Sequence, residues 1–229
     1  MPKWGRNVSD LIDKPPHYYN AQRREMLAFV PRDVRRVLEV GCGEGRFGAK
    51  LKRERAELGI DLHVTGIEID RERAAVATSQ LDHVIVANLD QDELDLPEEA
   101  FDCIVCNDVL EHLVTPWQVL EKLEILLKPG GHVVASIPNV QFWGVLKGLV
   151  FEGDWRYADE GVLDVTHLRF FTRRSIKRMF EEAGFESVEL TGINSHVRGW
   201  KFDLLRLLSG GRLSDIQYLQ FAVVASRPM

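Results

Sequence analysis

Short apolar runs alternate with amphipathic segments along most of the chain, from about residue 34 to about residue 190. The runs are rich in Val and Ile and are bounded by Gly, Pro or polar residues, as is typical of strands buried on both faces. The pattern predicts seven strands, at Arg36–Val40, Val64–Glu68, Val84–Ala87, Phe101–Cys106, His132–Ile137, Glu186–Thr191 and Leu219–Ser226. Between them it predicts helices at Gly45–Glu57, Arg71–Ser79, Pro116–Leu127 and Arg173–Ala183. This alternation predicts an α/β fold, doubly wound and Rossmann-like, with a mostly parallel sheet.

The first predicted strand ends in a turn with glycine at every second position, Gly41, Gly43 and Gly45. Glycine permits positive φ angles and lets the backbone lie directly against a ligand. Glu39 lies inside the apolar strand, where a carboxylate is unfavourable without a partner, and it would suit a ligand that carries an ammonium group. Counted from Gly43, the turn also fits the dinucleotide pattern G-x-G-x-x-G, but Glu44 would then lie beside a pyrophosphate. The turn therefore favours a ligand with an amino-acid end and no phosphate, S-adenosylmethionine, over a nicotinamide dinucleotide.

The second predicted strand ends in Glu68, 23 positions after Gly45. An acidic residue at the end of this strand, about 20 residues after the glycine turn, binds a ribose diol in nucleotide-binding folds. Both candidate cofactors contain such a ribose, so Glu68 supports a nucleoside ligand without choosing between them. The alternative is that Glu68 only caps the helix that begins near Arg71.

Together these stretches resemble the class I S-adenosylmethionine-dependent methyltransferases, from about Val34 to the last residue. Further stretches that carry the resemblance are 84–90, 101–113, 127–131 (a turn into the fifth strand), 166–172 and 183–185. The stretch at 166–172, with the helix that follows it, is similar to a bacterial subset whose members often methylate sugars or other small molecules. The resemblance implies that the seventh strand inserts antiparallel beside the fifth.

The resemblance also implies a cofactor site at the carboxyl ends of the first four strands. Its predicted members are Glu39, Gly41, Cys42, Gly43, Gly45, Glu68, Ile69, Asn88, Leu89, Asp90 and Asn107, with Tyr19 closing over the cofactor. An Asp is common in the family where this chain has Asn88, so the adenine contact stays open among Asn88, Asp90 and the backbone of Leu89. Arg23 or Arg24 is a candidate partner for the cofactor's carboxylate.

Methyl transfer to a hydroxyl gains from a general base, because a neutral hydroxyl is a poor nucleophile. His112, just past the fourth strand, and His167 are the two histidine candidates, and Asp108 is a third. Asp164, three residues before His167, could orient its imidazole. The alternatives are structural: His112 organises its loop and His167 ties a cover segment to the next helix. No base is needed if proximity alone drives transfer or if the acceptor is an amine.

Three segments fall outside the alternation and are expected to form the acceptor side of a single domain, 1–229. They are an N-terminal lid at 1–31 and two insertions at 139–166 and 192–214. The second segment holds five aromatic residues, of which one or two are expected to line a pocket. Its apolar stretch from Phe142 to Val150 suggests a dimer or membrane-surface contact.

Charge, apolar content and cysteine spacing argue against several further classes of function. The net charge of -6 argues against a nucleic-acid-binding face, which is normally basic. The chain has no run of about 18 apolar residues, so no transmembrane segment is predicted, and its first residues do not resemble a signal sequence. A cytoplasmic protein is therefore expected. Cys103 and Cys106 form a C-x-x-C within a strand, where side chains three apart face opposite ways, so no metal site is predicted.

The sequence thus predicts a methyltransferase that uses S-adenosylmethionine and methylates a hydroxyl of a sugar, glycan or other small molecule. N-methylation of a small amine, a nicotinamide-dependent oxidoreductase and a non-catalytic domain that binds the cofactor or a partner are the alternatives. A homodimer is a further hypothesis.

Overall fold

The computed structural model describes residues 23–195, 199 and 207–229. The seven strands are β1 (Arg36–Val40), β2 (His63–Glu68), β3 (His83–Val86), β4 (Phe101–Asn107), β5 (Leu127–Pro138), β6 (Glu186–Ser195) and β7 (Tyr218–Ser226). They form one sheet in the order β3-β2-β1-β4-β5-β7-β6. Strands β1 to β5 pair in parallel, whereas β7 runs antiparallel to both β5 and β6. The prediction of a doubly wound sheet with an antiparallel last strand is confirmed.

The helices are α1 (Arg46–Glu57), α2 (Arg71–Ala77), α3 (Pro116–Leu126), α4 (Trp143–Lys147) and α5 (Arg173–Glu182). Short 3₁₀ helices cover Arg24–Phe29, Leu110–His112 and Ser214–Gln217, and a π-helical turn covers Gly148–Glu152. The Asp70 carboxylate accepts hydrogen bonds from the backbone N–H groups of Glu72 and Arg73 and so caps α2. The alternative in which Glu68 caps this helix is therefore wrong.

Two predicted boundaries differ from the structure by more than about two residues, the start of β5 and the end of β6. The stretch 127–131, predicted as a turn, belongs to β5, because Leu127 pairs with Phe101 before the register shifts and His132 pairs with Cys103. Gly130, at φ +71°, accommodates that bulge. Strand β6 continues to Ser195, which pairs with Tyr218, so the first residues of the predicted insertion 192–214 are sheet rather than cover.

The two faces of the sheet carry separate apolar clusters. Leu38, Ile104 and Cys106 belong to one cluster, whereas Val37 and Cys103 belong to the other. The two cysteines thus lie on opposite faces, as predicted, and cannot share an ion. Burial raises the pKa of Cys106 to about 12 and that of Cys103 above its usual range, so neither is a thiolate at neutral pH.

The described part of the predicted lid packs on the core. Met26, Leu27 and Val30 are buried in the second cluster, and the Arg55 guanidinium donates to the carbonyl oxygens of Val30 and Pro31. The 3₁₀ helix at Arg24–Phe29 contacts β5 and β7. Across the described residues, no helix combines the length and apolarity needed to cross a bilayer.

Candidate active site

The glycine turn after β1 is built for close approach by a ligand. Gly41 and Gly43 have φ angles of +65° and +54°, which side chains with a Cβ atom rarely adopt. A Cβ added to Gly41 would lie 2.6 Å from Val109 Cγ2, whereas one added to Gly43 meets no protein atom within 4 Å. Gly43 therefore combines a left-handed backbone that suits glycine with an open side, where a ligand can lie against the chain.

Glu39 is the buried carboxyl group of this turn. It is 5% exposed, and its Oε2 accepts a hydrogen bond of 3.0 Å from the backbone N–H of Gly48 in α1. Burial, reinforced by the nearby Glu68 carboxylate, raises the pKa of Glu39 to about 8. The side chain is thus ready to ionise when a cation arrives beside it.

Glu68 ties the end of β2 to the glycine turn. Its Oε2 accepts from the Gly43 N–H at 2.7 Å and its Oε1 from the Asp70 N–H at 3.0 Å. The next residue, Ile69, is 61% exposed, which places an apolar side chain at the open edge of the turn. Cys42 and Gly45 complete the turn: Cys42 packs in the core, and Gly45 is the residue before α1.

The loop after β3 carries the three residues left open for an adenine contact. Both carboxylate oxygens of Asp90 accept hydrogen bonds from the backbone N–H of Val114, and one also accepts from Thr115. Asp90 therefore anchors the start of α3. Asn88 Oδ1 accepts from the Asp90 N–H at 3.0 Å, and Leu89 is buried. The Asn88 amide group and the Leu89 backbone therefore remain the better candidates for the predicted contact with adenine.

Asn107, the last residue of β4, is a polar side chain without its hydrogen bonds. Its Oδ1 and Nδ2 are both buried and neither has a partner among the described residues. An unsatisfied buried amide is unfavourable by roughly 1–3 kcal/mol, and β4 lies next to β1 in the sheet. A polar ligand beside the glycine turn would satisfy it.

Asp108 lies in an ion-pair network that the sequence did not reveal. Its Oδ1 accepts from Ser136 Oγ at 2.9 Å and from Gln220 Nε2 at 2.7 Å, while its Oδ2 pairs with the Arg23 guanidinium. Burial raises the pKa of Asp108, although Arg23 and Ser136 act against that rise. Arg23 is thus paired with Asp108, and the predicted pairing of Arg23 or Arg24 with a cofactor carboxylate stays a prediction.

His112 and His167 lie together, although 55 residues separate them in sequence. Their ring centroids are 4.7 Å apart. His167 Nδ1 is 3.0 Å from the Val162 carbonyl oxygen and His112 Nδ1 is 3.2 Å from that of Thr166. A carbonyl only accepts, so Nδ1 carries a proton in both rings, and in the neutral form of each ring Nε2 carries the lone pair. The Val162 carbonyl thus holds Nδ1 of His167, and a role of Asp164 in orienting the ring stays a prediction.

The residue that joins these histidines is Glu111, which the sequence analysis did not single out. Its backbone carbonyl accepts from the N–H groups of Leu168 and Arg169, and its carboxylate Oε1 lies 3.9 Å from His167 Nε2. Burial, followed by repulsion from Asp108, raises the pKa of Glu111 well above its usual range. Its position within the apolar run 109–113 could have identified it by the argument applied to Glu39. Tyr19 lies outside the described residues.

Comparison with known proteins agrees with this geometry. The profile of a family described as "Methyltransferase domain" matches residues 14–190. A ubiquinone biosynthesis O-methyltransferase of Vibrio atlanticus (strain LGP32) is 28% identical over 185 residues, which cover 79% of this chain and 76% of that protein. The corresponding protein of Coxiella burnetii (strain RSA 331) is 27% identical over 202 residues, covering 86% and 83%.

Solved structures agree on the fold. A methyltransferase of Thermotoga maritima, described as S-adenosylmethionine-dependent and a possible histamine N-methyltransferase, superposes with a TM-score of 0.62 at 17% identity. The match covers 92% of this chain and 89% of that one. The residues present fit S-adenosylmethionine, because the open Gly43, the ionisable Glu39 and the unsatisfied Asn107 all lie at the carboxyl ends of the neighbouring parallel strands β1 and β4. The chain is an enzyme with this cofactor and belongs to the class I S-adenosylmethionine-dependent methyltransferases.

Proposed function

We propose that this enzyme methylates the oxygen of a hydroxyl group on a sugar or another small molecule. The observation that carries the proposal is the pair of neighbouring imidazoles at the end of β4, a half-buried His112 and a buried His167. Each ring directs its protonated Nδ1 at a carbonyl and, when neutral, keeps a proton-accepting Nε2. An oxygen acceptor needs such a base, whereas a neutral amine does not. The naming of the curated relatives as O-methyltransferases supports the same class of acceptor.

The protein's part in the reaction is to bind, orient and deprotonate. S-adenosylmethionine, when bound, supplies the electrophilic methyl carbon. Glu39 would pair with its ammonium group, Glu68 would accept hydrogen bonds from its ribose, and the Asn107 amide would bond to one of its polar groups. His112 or His167 takes the proton of the acceptor hydroxyl at Nε2. The residues of the site would thus leave the acceptor oxygen free to take the methyl group from the cofactor's sulfur, which would yield a methyl ether and S-adenosylhomocysteine.

The acceptor is proposed to lie against the cover segment 139–166 and the residues that follow it. Trp155 and Tyr157 lie 5.1 and 6.3 Å from the Phe170 ring, which is itself 6.4 Å from His167. These rings form an aromatic wall beside the proposed base. Such a wall suits the apolar face of a sugar or an aromatic ring.

The apolar stretch 142–150 was predicted to form a contact surface, and its dimer role stays a prediction. Leu149, Val150 and Phe151 are 46%, 66% and 72% exposed. Light scattering of the purified enzyme, with Phe151→Asp as the variant, would test whether this surface joins two copies.

The proposed reaction is tested by product analysis. The enzyme is incubated with S-adenosylmethionine carrying a labelled methyl group and with matched acceptors, hydroxylated sugars and phenols against their amino analogues. The expected product is a methyl ether, located by mass spectrometry and NMR. Labelled amines with no labelled ether would overturn the O-methylation proposal. Methyl ether formed at an unchanged rate by a His112→Gln, His167→Gln double variant would overturn the general-base roles.

A further inference from the structure

Three potential metal ligands converge at the end of β4. Glu111, His112 and His167 each offer one ligand atom, and these atoms lie within 4.8 Å of one another. Glu111 is 1% exposed, and neither of its carboxylate oxygens has a hydrogen-bond partner among the described residues. A buried carboxylate without hydrogen bonds is strongly unfavourable unless a cation compensates it.

The histidines are held as metal-binding histidines usually are. The Nδ1 of each ring is directed at a backbone carbonyl, that of Thr166 for His112 and that of Val162 for His167. This arrangement fixes the tautomer, orients the ring and makes Nε2 the more basic ligand atom. The carbonyl of Val162 and the bonds from Leu168 and Arg169 to the Glu111 carbonyl set the position of the loop. The ligand set is therefore positioned by backbone rather than by flexible side chains.

The local charge balance also favours a cation. The carboxylates of Asp108 and Asp164 repel that of Glu111, and the guanidinium that acts against this repulsion, that of Arg23, is paired with Asp108. Asp164 Oδ1 in turn accepts from the backbone N–H and the hydroxyl of Thr166, both at 2.8 Å. A divalent ion between Glu111 and the imidazoles would offset this concentration of negative charge.

We propose that Glu111, His112 and His167 form a binding site for a divalent transition-metal ion, with Zn²⁺ as the ion that fits best. Two imidazoles and one carboxylate, with a further position left open, are a ligand set of catalytic zinc sites. Mg²⁺ prefers oxygen ligands and suits this set poorly. Zinc at about 2.1 Å from each ligand atom places the ligand atoms about 3.4 Å apart, so the side chains close by about 1 Å on binding.

The open position gives the ion a role that rests on the proposed function. A hydroxyl bound to a divalent ion loses its proton far more readily than a free one. The ion would hold the acceptor oxygen beside the aromatic wall and favour its deprotonated form. In the metal-free protein the same Nε2 atoms serve as proton acceptors.

The site is tested by calorimetric titration of the chelator-treated, full-length protein with Zn²⁺, and with Mg²⁺ for comparison. One Zn²⁺ per chain is expected, with no comparable response to Mg²⁺. The variants Glu111→Gln, His112→Gln and His167→Gln should each weaken zinc binding by about a hundredfold or more, since even supporting residues of metal sites are worth about 10–100-fold. His83→Gln, which removes an exposed histidine on β3, is the matched control and should bind as the parent does.

The binding of S-adenosylhomocysteine by each variant shows that it is folded. A folded protein that binds no Zn²⁺, or variants that all bind it as tightly as the His83→Gln control, would overturn the metal site. Visible absorption of bound Co²⁺, lost in the Glu111→Gln variant, would support it independently of activity. Zinc binding without any methyl ether product would overturn the proposed function and leave the metal site standing. Ether formation by a protein that binds no zinc would overturn the metal site and leave the proposed function standing.

Discussion

Binding of S-adenosylhomocysteine is expected to release a proton from Glu39. The pKa of this buried carboxyl is raised to about 8 in the ligand-free protein, so about nine in ten molecules carry the proton at pH 7. The ammonium group of the ligand would pair with the carboxylate and hold it ionised. About 0.9 proton should therefore leave at pH 7 and about 0.5 at pH 8. The affinity should rise about tenfold between pH 6 and pH 7, or about 1.4 kcal/mol.

The assay is calorimetry at pH 7 in buffers with different enthalpies of ionisation. The slope of the observed binding enthalpy against the buffer enthalpy gives the number of protons released. Glu39→Gln keeps an acceptor for the Gly48 N–H but has no proton to lose, so its slope should be near zero and its affinity should not change with pH. Glu44→Gln removes a carboxylate of the same turn that pairs with Arg46 at the surface, and its slope should match the parent's.

A parent slope near zero would refute the reasoning, as would an equal slope in the Glu39→Gln variant. The same group predicts a pH dependence of stability in the ligand-free protein. Because the folded pKa of Glu39 lies above its ordinary value of 4.5, its contribution is fully present below pH 4.5 and is lost as the pH rises through about 8. Denaturant unfolding from pH 5 to 9 should therefore show a decline that is smaller in Glu39→Gln.

Three further substitutions test the other parts of the site. Gly43→Ala should abolish measurable binding of S-adenosylhomocysteine. The control Gly59→Ala, at φ +72° and equally free of neighbours, should lose about 1–2 kcal/mol of stability but keep its affinity for this ligand. Equal affinities in the two variants would show that no ligand lies against Gly43. Arg23→Met should destabilise the fold by about 3 kcal/mol at pH 7 and by less in acid, where Asp108 is protonated. In denaturant unfolding, the additional substitution Asp108→Asn should restore much of the lost stability. If it restores none, Arg23 acts through packing and not through its charge. In the Glu68→Gln variant, the side chain can accept only one of the two backbone hydrogen bonds well. The Tm should therefore fall by several degrees, and the affinity for S-adenosylhomocysteine should drop. An unchanged Tm would contradict the role of this carboxylate in holding the glycine turn.

Most of the fold could be predicted because strand periodicity is a local property. The opposite facing of Cys103 and Cys106 follows from a repeat of two residues within one strand, and the structure agrees. The end of β6 could not be predicted, since Gly192–Ser195 are sheet only because β7 lies alongside them. The bulge at the start of β5 was missed for the same reason. Pairing across the sheet sets such boundaries, and the local sequence does not encode it.

The candidate site likewise has a part that could be predicted from local sequence and a part that could not. The glycine turn, Glu39 and Glu68 were predictable because they belong to consecutive parts of one βαβ unit. The proximity of His112 and His167 was not, because it depends on backbone bonds from Leu168 and Arg169 to the Glu111 carbonyl. Arg23 likewise reaches Asp108 only through the packing of the segment before β1. Contacts between distant segments create this half of the site.

The central place of β7 constrains the order in which the protein can fold. β7 lies between β5 and β6, so β6 cannot join the sheet until a segment made more than twenty residues later has been added beside β5. Until then one edge of β5, from His132 to Pro138, presents unpaired backbone groups, and at such an open edge nascent chains can associate. Loss of Tyr218–Ser226 would leave that edge permanently exposed and β6 without a neighbour.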